Sequence, residues 1–358
     1  MESKAFNILV INPGSTSTRV AVYRNSDCLF TKSYSHGVEE LSRYPKILDQ
    51  LEWRKGLVLR ALGENGIALN AIHAVAARGG RLKPIPSGTY LANERMMQDS
   101  RRSLQGEHAS NLACLIGKDL AAPLNIPVFV VDPVAVDELD DIARVSGIRE
   151  IQRNSLSHAL NMKAVARKAA LQLGITYAEA NLVVAHMGGG GSISAHMGGR
   201  MIDLYNSDKE GPFTAERAGG IPTLELVDMC FSGRYARDEV VKKLVGGGGI
   251  TSYLGTKDAT EVEGRIHDGE DGARLIFEAM AYQFAKYIGA LATVLKGKVD
   301  AIVLTGGMAH SKMLVEWIIE RVSFIAPILV FPGEGEMEAL ALGVFRVLTG
   351  EEVPRVYE

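Results

Sequence analysis

Apolar residues occur early in the chain in short alternating or continuous segments, and later return at helical spacing. Residues 6–12 (FNILVIN), 18–24 (TRVAVYR) and 28–36 (CLFTKSYSH) are rich in β-branched and aromatic residues and lie only a few positions apart. Segments so close together predict an antiparallel meander. Helical periodicity follows over 48–62, then a strand over 71–77, a helix over 108–121 and the strand PVFVVD at 127–132. A helix then fits 157–173 and stops at Gly174, a residue suited to a helix C-terminus. The pattern restarts with NLVVAHM at 181–187, SISAHM at 192–197 and RMIDLY at 200–205. A long helix, the strand AIVLTG at 301–306, a helix over 313–322, the strand PILVFPG and a last helix near 337–348 complete it. Three clustered strands followed by alternating helices and strands thus occur twice. This predicts an α/β protein of two similarly built domains, expected at 1–155 and 156–336, with the terminal segment 337–358 packing back on the first and a cleft between them. One large mixed sheet is the alternative.

The length of 358 residues agrees with two domains rather than one core. Net charge is −3 with both signs interspersed, so a polyanion-binding surface, and with it a nucleic-acid partner, is not expected. Cys28, Cys114 and Cys230 are far apart and in no metal-ligand spacing, which points to a reducing compartment. The start, MESKAFNILVINPG, runs straight into a strand with no apolar leader, and the most apolar helix, 275–295, is interrupted by Glu278, Gln283 and Lys286. The expectation is a cytoplasmic protein without a membrane partner.

Candidate chemistry lies in the turns. In NPGSTSTR, Asn12 to Arg19, a strand ends at a glycine followed by hydroxyls that can donate to phosphate and by a permanent cation. No GxxxxGK[ST] occurs and a strand rather than a helix follows, so this is not a P-loop. Taken alone, the stretch reads more readily as a solvated hairpin turn than as a ligand site. The matching place in the second half is His186-Met187-Gly188-Gly189-Gly190-Gly191-Ser192. Four glycines exceed what a tight turn needs, and backbone N–H groups presented to an anion would account for them. A third turn, Gly306-Gly307-Met308, follows a strand and precedes a helix whose N-terminal amides can face a nucleotide. A fourth run, 246–249, reads as a flexible loop.

Two such turns in matching places of repeated domains, with a late TGG turn, resemble the acetate and sugar kinase, hsc70 and actin superfamily, whose domains are ribonuclease H-like. Within it, VINPGSTSTR, AARGGRLKPIPSGTY, HMGGGGSIS and GPFTAERAGGIP resemble the acetokinase family along nearly the whole chain, with Arg19 where the family usually has Lys. The same segments and the shorter chain resemble the butyrate kinase branch more than the acetate kinase branch.

The resemblance implies reversible transfer of the ATP γ-phosphoryl group to a short-chain carboxylate, with Mg²⁺, in a homo-oligomer of two or more subunits. It implies catalytic roles for Arg78 (with Arg81 as the competitor), His158, Arg217 and Asp132, and carboxylate or phosphate contacts from Asn12, Ser15, Ser17, Arg19 and His108. It places the nucleotide at His186, Gly188, Gly189, Gly190, Gly191, Gly306, Gly307 and Met308. Asp132 and Glu336 would hold the metal, with Glu334 and Glu338 as rivals of the latter. The chemistry agrees: a carboxylate acceptor and a polyanionic donor ask for charge neutralisation more than for a base. Acetate kinases have an aromatic residue just before the catalytic histidine; here Ser157 stands there, which leaves room for a longer acyl chain. The alternatives are an acetate or propionate kinase and, outside enzymes, an ATP-binding regulator of the same superfamily.

Overall fold

The strand at residues Asn7–Pro13 is buried on both faces, so its side chains form a continuous apolar run rather than an alternation. A computed structural model describes residues 5–103 and 106–358. In chain order the strands are β1 (Asn7–Pro13), β2 (Ser17–Arg24), β3 (Asp27–Ser35), β4 (Ala74–Arg78), β5 (Thr89–Leu91), β6 (Val128–Val131), β7 (Leu182–Met187), β8 (Gly191–Met197), β9 (Arg200–Asn206), β10 (Ala301–Gly306), β11 (Ile328–Pro332) and β12 (Arg355–Val356). The helices that build the layers are α1 (Leu51–Glu64), α2 (Leu112–Ala121), α3 (Ala159–Leu173), α4 (Asp271–Val294), α5 (Lys312–Val322) and α6 (Glu336–Leu348).

The chain divides into two compact units, Met1–Asp137 with Gly335–Glu358, and Glu138–Glu334. The division falls at Asp137 rather than at residue 155. The intervening segment is stitched to β9: Asp140 N–H donates to Ile202 O at 2.9 Å, and Arg153 pairs with Asp203 and Glu210, each at 2.9 Å.

The first unit holds a sheet in the order β12-β5-β6-β4-β1-β2-β3. From β1, β4 and β6 run parallel on one side, and β2 and β3 form an antiparallel meander on the other. One face, with Leu9, Ile11, Val20, Val75 and Val128, packs on Val58 and Leu62 of α1 and Leu112, Leu115 and Ile116 of α2. The other face is covered by α6, which lies against β1, β4 and β6. The edge strand β3 is mostly exposed and carries Lys32, which discourages pairing with another chain.

The second unit repeats this arrangement with the order β11-β10-β7-β8-β9, parallel on one side of β7 and antiparallel on the other. Its core joins Val183, Ala185, Ile193, Ile302 and Leu304 to Phe277, Phe284 and Ile288 of α4 and Leu314 and Ile318 of α5, with α3 on the opposite face. Two similarly built α/β units therefore hold, and a single mixed sheet does not. Helix α4 is a core helix: its buried residues Phe277, Met280, Ala281, Phe284, Ile288 and Leu291 recur at helical spacing on one stripe. Among the described residues no helix is long and apolar enough to cross a membrane.

Helix α6 approaches β6 through a glycine. A Cβ on Gly343 would stand 2.4 Å from Val131 Cγ1 and 2.8 Å from its Cγ2. Gly343→Val is expected to destabilise the first unit by about 2–3 kcal/mol through overpacking, read as an earlier urea or thermal transition; an unchanged transition would contradict this contact.

Candidate functional site

In the first unit, β1 and β2 pair through Asn12↔Arg19 and Pro13↔Thr18, and Gly14 N–H closes the turn on Ser17 O at 2.8 Å. The stretch is a hairpin, with Ser15 exposed and Ser17 half-buried at its tip. It is braced from behind by Arg54 of α1, which is fully buried. Arg54 donates from Nη1 to Ser17 O at 2.9 Å and to Thr18 Oγ1 at 2.8 Å, and from Nε to Gln50 Oε1 at 2.9 Å. Its Nη2 is buried without a hydrogen-bond partner among the described residues. Burial pulls the guanidinium down to about 10, still cationic at neutral pH.

The same hairpin presents Asn12 and Arg19 to Glu336, the first residue of α6. Asn12 Nδ2 donates to Glu336 Oε2 at 2.8 Å, Arg78 Nη1 pairs with Oε1, and Arg19 Nη1 lies 4.0 Å from Oε2. Burial pushes the Glu336 carboxyl up, but the charge of Arg78, the Asn12 amide and the Arg19 charge outweigh it and hold the group below its ordinary range. Arg78 is largely buried at the end of β4, whereas Arg81 is exposed and its backbone N–H is tied to Asn111 Oδ1 at 2.8 Å. Gly79 and Gly80 are glycines for packing: a Cβ would lie 2.1 Å from Pro133 Cβ at the first and 2.2 Å from Asn111 Oδ1 at the second.

Asp132, just past β6, is buried with φ +37°, an uncommon backbone state for a residue with a side chain. It is held by a reciprocal pair with Gly88, whose N–H donates to Asp132 Oδ1 at 2.7 Å and whose carbonyl accepts from Asp132 N–H at 3.1 Å. His108 Nδ1 accepts from Ser110 N–H at 3.2 Å, so the ring proton sits on Nε2. Burial, with Arg81, Arg78 and Arg54 nearby, lowers its pKa and keeps it a neutral N–H donor.

In the second unit, β7 and β8 form the matching hairpin, with Met187 opposite Gly191 and Gly188 N–H bonded to Gly190 O at 3.0 Å. His158, immediately before α3, and His186, at the end of β7, stack with centroids 3.9 Å apart and planes 7° from parallel. Nδ1 of His158 is 3.0 Å from Ser192 Oγ, and Nδ1 of His186 is 2.7 Å from Asn161 Oδ1. The glycines have separate reasons. A Cβ on Gly191 would meet Ser207 Oγ at 2.7 Å, and one on Gly189 would meet the Glu216 carboxylate at 2.8 Å. On Gly188 and Gly190 it would stand 3.5 Å from the His186 and His158 rings, covering the edges that now face the turn.

Arg217 lies on a loop tied to this turn, because Gly189 O accepts from Thr214 Oγ1 at 2.6 Å and from Glu216 N–H at 3.3 Å. Its Nε donates to Asp208 Oδ1 at 2.6 Å. The run 246–249 is not a flexible loop. Gly246 N–H bonds Glu216 O at 2.7 Å, and a Cβ on Gly249 would stand 1.8 Å from Thr214 O, so these glycines clamp the Arg217 loop.

The third turn also differs from expectation. Gly306, at φ +92°, lies where a Cβ would come within 2.3 Å of Met187 O, and it pairs with Gly333. A short 3₁₀ turn, Gly307–His310, then intervenes with Met308 buried, and α5 starts behind Ser311, whose Oγ accepts from Leu314 N–H at 3.0 Å. The helix therefore does not open directly at the glycines. Among the described residues no cluster of three or more histidine, cysteine, aspartate or glutamate side chains could hold a metal ion.

The structure thus gathers Asn12, Arg19, Arg78 and Glu336 in one unit, and His158, His186 and the tetraglycine turn, with the Arg217 loop bonded to it, in the other. Two further residues, Arg54 and Asn161, had a signal in the sequence. Each is a polar residue at a helix position whose neighbours at helical spacing are apolar and buried.

The acetokinase family model matches residues 143–327. A protein described as probable butyrate kinase 2 from Caldanaerobacter subterraneus subsp. tengcongensis is 50% identical over 352 residues, covering 98% of this chain and 99% of its own. Among solved structures, Porphyromonas gingivalis acetate kinase aligns with a TM-score of 0.80 at 18% identity over 96% of this chain and 100% of that one. A propionate kinase from Francisella tularensis aligns with a TM-score of 0.74 at 20% identity, over 94% and 98%. These last two share the fold. Repeated α/β units, hairpin turns in matching places and this near full-length identity make the chain a member of the acetokinase family.

Proposed function

We propose that the protein is an ATP-dependent carboxylate kinase of the butyrate kinase type, converting butyrate or a similar short or branched acid and ATP to the acyl phosphate and ADP, reversibly. The observation that carries this reading is the pair of stacked imidazoles facing a glycine turn, on the same hairpin position where the first unit gathers its arginines. In the reaction a carboxylate oxygen attacks the γ-phosphorus while the bond to the β,γ-bridging oxygen breaks. No proton need move, so the burden is electrostatic.

The second unit is assigned the nucleotide. The turn from Gly188 to Gly191 is assigned the phosphate oxygens through its backbone N–H groups other than that of Gly188, which Gly190 O accepts, and His158, His186 and Arg217 are assigned to the charge that develops on the transferring group. Gly306, Gly307 and Met308 are assigned to the nucleoside side; Gly307 has no atom within 4 Å of a would-be Cβ, which suits a ligand passing close. The first unit is assigned charge neutralisation of acceptor and phosphoryl group, through Asn12, Arg19 and Arg78, the hydroxyls of Ser15 and Ser17, and the neutral N–H of His108.

The donor set fits a Mg²⁺ that arrives with ATP rather than a resident ion. Glu336 is engaged by Arg78 and Asn12 and Asp132 by Gly88, while a nucleotide-bound Mg²⁺ needs only one or two carboxylates. Asp132 and Glu336 are the residues that would hold it, directly or through water, and the ion would neutralise phosphate charge.

The same reading places the enzyme in the cytoplasm and in a homo-oligomer. The helix Thr223–Phe231 has no buried residue, and Leu224, Val227 and Phe231 are exposed along one side of it, as expected of a face covered by a second copy.

Formation of hydroxamate from butyrate, ATP and Mg²⁺ tests the function, and no product with acetate, propionate, butyrate or isobutyrate would refute it. The same assay reads the acyl pocket. Ser157 is buried immediately before His158, with no partner for its hydroxyl among the described residues. Ser157→Phe is expected to move the kcat/KM preference from butyrate toward acetate by about 10-fold or more; an unchanged ratio would remove Ser157 from the pocket.

A further inference from the structure

We propose that Asn161 is a positioning residue that fixes the tautomer of His186, so that its unprotonated Nε2 is turned to the glycine turn. Asn161 lies in the first turn of α3 and is buried. Its amide orientation follows from its neighbours. Nδ2 is 2.6 Å from Glu334 O, 3.3 Å from Thr305 Oγ1 and 3.5 Å from Gly333 O. Thr305 Oγ1 spends its proton on Gly333 O at 3.2 Å, so toward Asn161 it acts as an acceptor. An amide oxygen placed among these acceptors would be repelled; the NH₂ group belongs there, and the carbonyl Oδ1 faces His186.

His186 Nδ1, 2.7 Å from that oxygen, must then carry the proton. This is the less favoured tautomer of a neutral imidazole in water, which ordinarily holds its proton on Nε2. The amide selects it, and leaves Nε2 of His186 as the atom 3.5 Å from a would-be Cβ of Gly188. The ring cannot turn freely, because the parallel His158 ring lies 3.9 Å away and is itself held to Ser192. A ring in this state can take up a proton from solvent at Nε2 as an anionic phosphate oxygen binds, and then donate to it along a fixed direction. Asn161 also spans α3, β7, β10 and the Gly333–Glu334 segment, so the same side chain locks the elements around the imidazoles.

The catalytic consequence rests on the kinase reading, but the tautomer does not, and the test separates them. Full-length protein labelled with ¹⁵N gives long-range ¹H–¹⁵N spectra of its histidines, with His186 assigned by loss of its signal in His186→Gln. The wild type is expected to show a protonated Nδ1, and Asn161→Ala to shift toward protonated Nε2. In the acyl phosphate assay, Asn161→Ala is expected to lower kcat about 10–100-fold, leaving KM for ATP within about threefold. A bare Nδ1 in the wild type overturns the proposal without any variant. A wild-type tautomer and kcat in folded Asn161→Ala overturn it as well. A tautomer switch in Asn161→Ala, in a protein that phosphorylates no acid, refutes the kinase reading and leaves the positioning role of Asn161 standing.

Discussion

The Glu336 carboxylate is the interaction on which the first unit depends. It stands at the first residue of the last helix, yet it is bound by Asn12 from the first strand and Arg78 from the fourth. Burying a carboxylate costs several kcal/mol unless cations and donors compensate, and here the compensation comes from residues more than 250 positions away in sequence, as the 258-residue separation of Arg78 and Glu336 shows. The pair therefore fixes where α6 begins, and α6 then covers a whole face of the sheet through its approach at Gly343. Local charge is left in excess on the positive side: Arg19 and Arg78 both stand against one engaged carboxylate. Such an excess is unfavourable in an empty protein and useful for a polyanionic donor and an anionic acceptor, which is the partition the proposed carboxylate kinase requires.

The second unit solves the complementary problem with donors of small net charge. Two imidazoles held parallel, each anchored at Nδ1, face a turn from which side chains have been removed at Gly188 and Gly190. Glycines elsewhere in the unit serve packing: Gly191 against Ser207, Gly306 against Met187, and Gly249 against the loop that carries Arg217. Only some of the glycine-rich character is thus available for ligands. The same residue type does two jobs, and the space around each Cβ position separates them.

Much of this was legible in the sequence because the decisive signals are local. The continuous apolar runs of β1 and β7, the short gaps between meander strands and the capping Gly174 are set by neighbours in the chain. The repeat of strand clusters gave the two-unit architecture, and the turns NPGSTSTR and HMGGGGS fall at the same place in each unit. What was not legible depends on distant partners. Which of Glu334, Glu336 and Glu338 pairs with Arg78 cannot be read from PGEGEME, because it depends on where the last helix begins beside β4. The role of 246–249 was misread because its packing partner is the 214–218 loop. The first boundary, expected at 155, moved to Asp137 because Arg153 finds its carboxylates on and beyond β9. Arg54 and Asn161 were visible as polar residues on buried helical stripes, but their partners were not.

The central claim is that Glu336 stays ionised while buried and organises the first unit through Arg78 and Asn12. Its folded pKa lies below the ordinary glutamate value of 4.5, so its stabilisation is fully present above that value and is lost as pH falls through the lower folded one. Urea unfolding of wild type and Glu336→Gln from about pH 7 to about pH 3 measures this directly. The account expects the variant to be less stable by about 3 kcal/mol at neutral pH, with the difference shrinking as the pH drops below 4.5. Equal stability at neutral pH, or a difference that does not change on acidification, would contradict it.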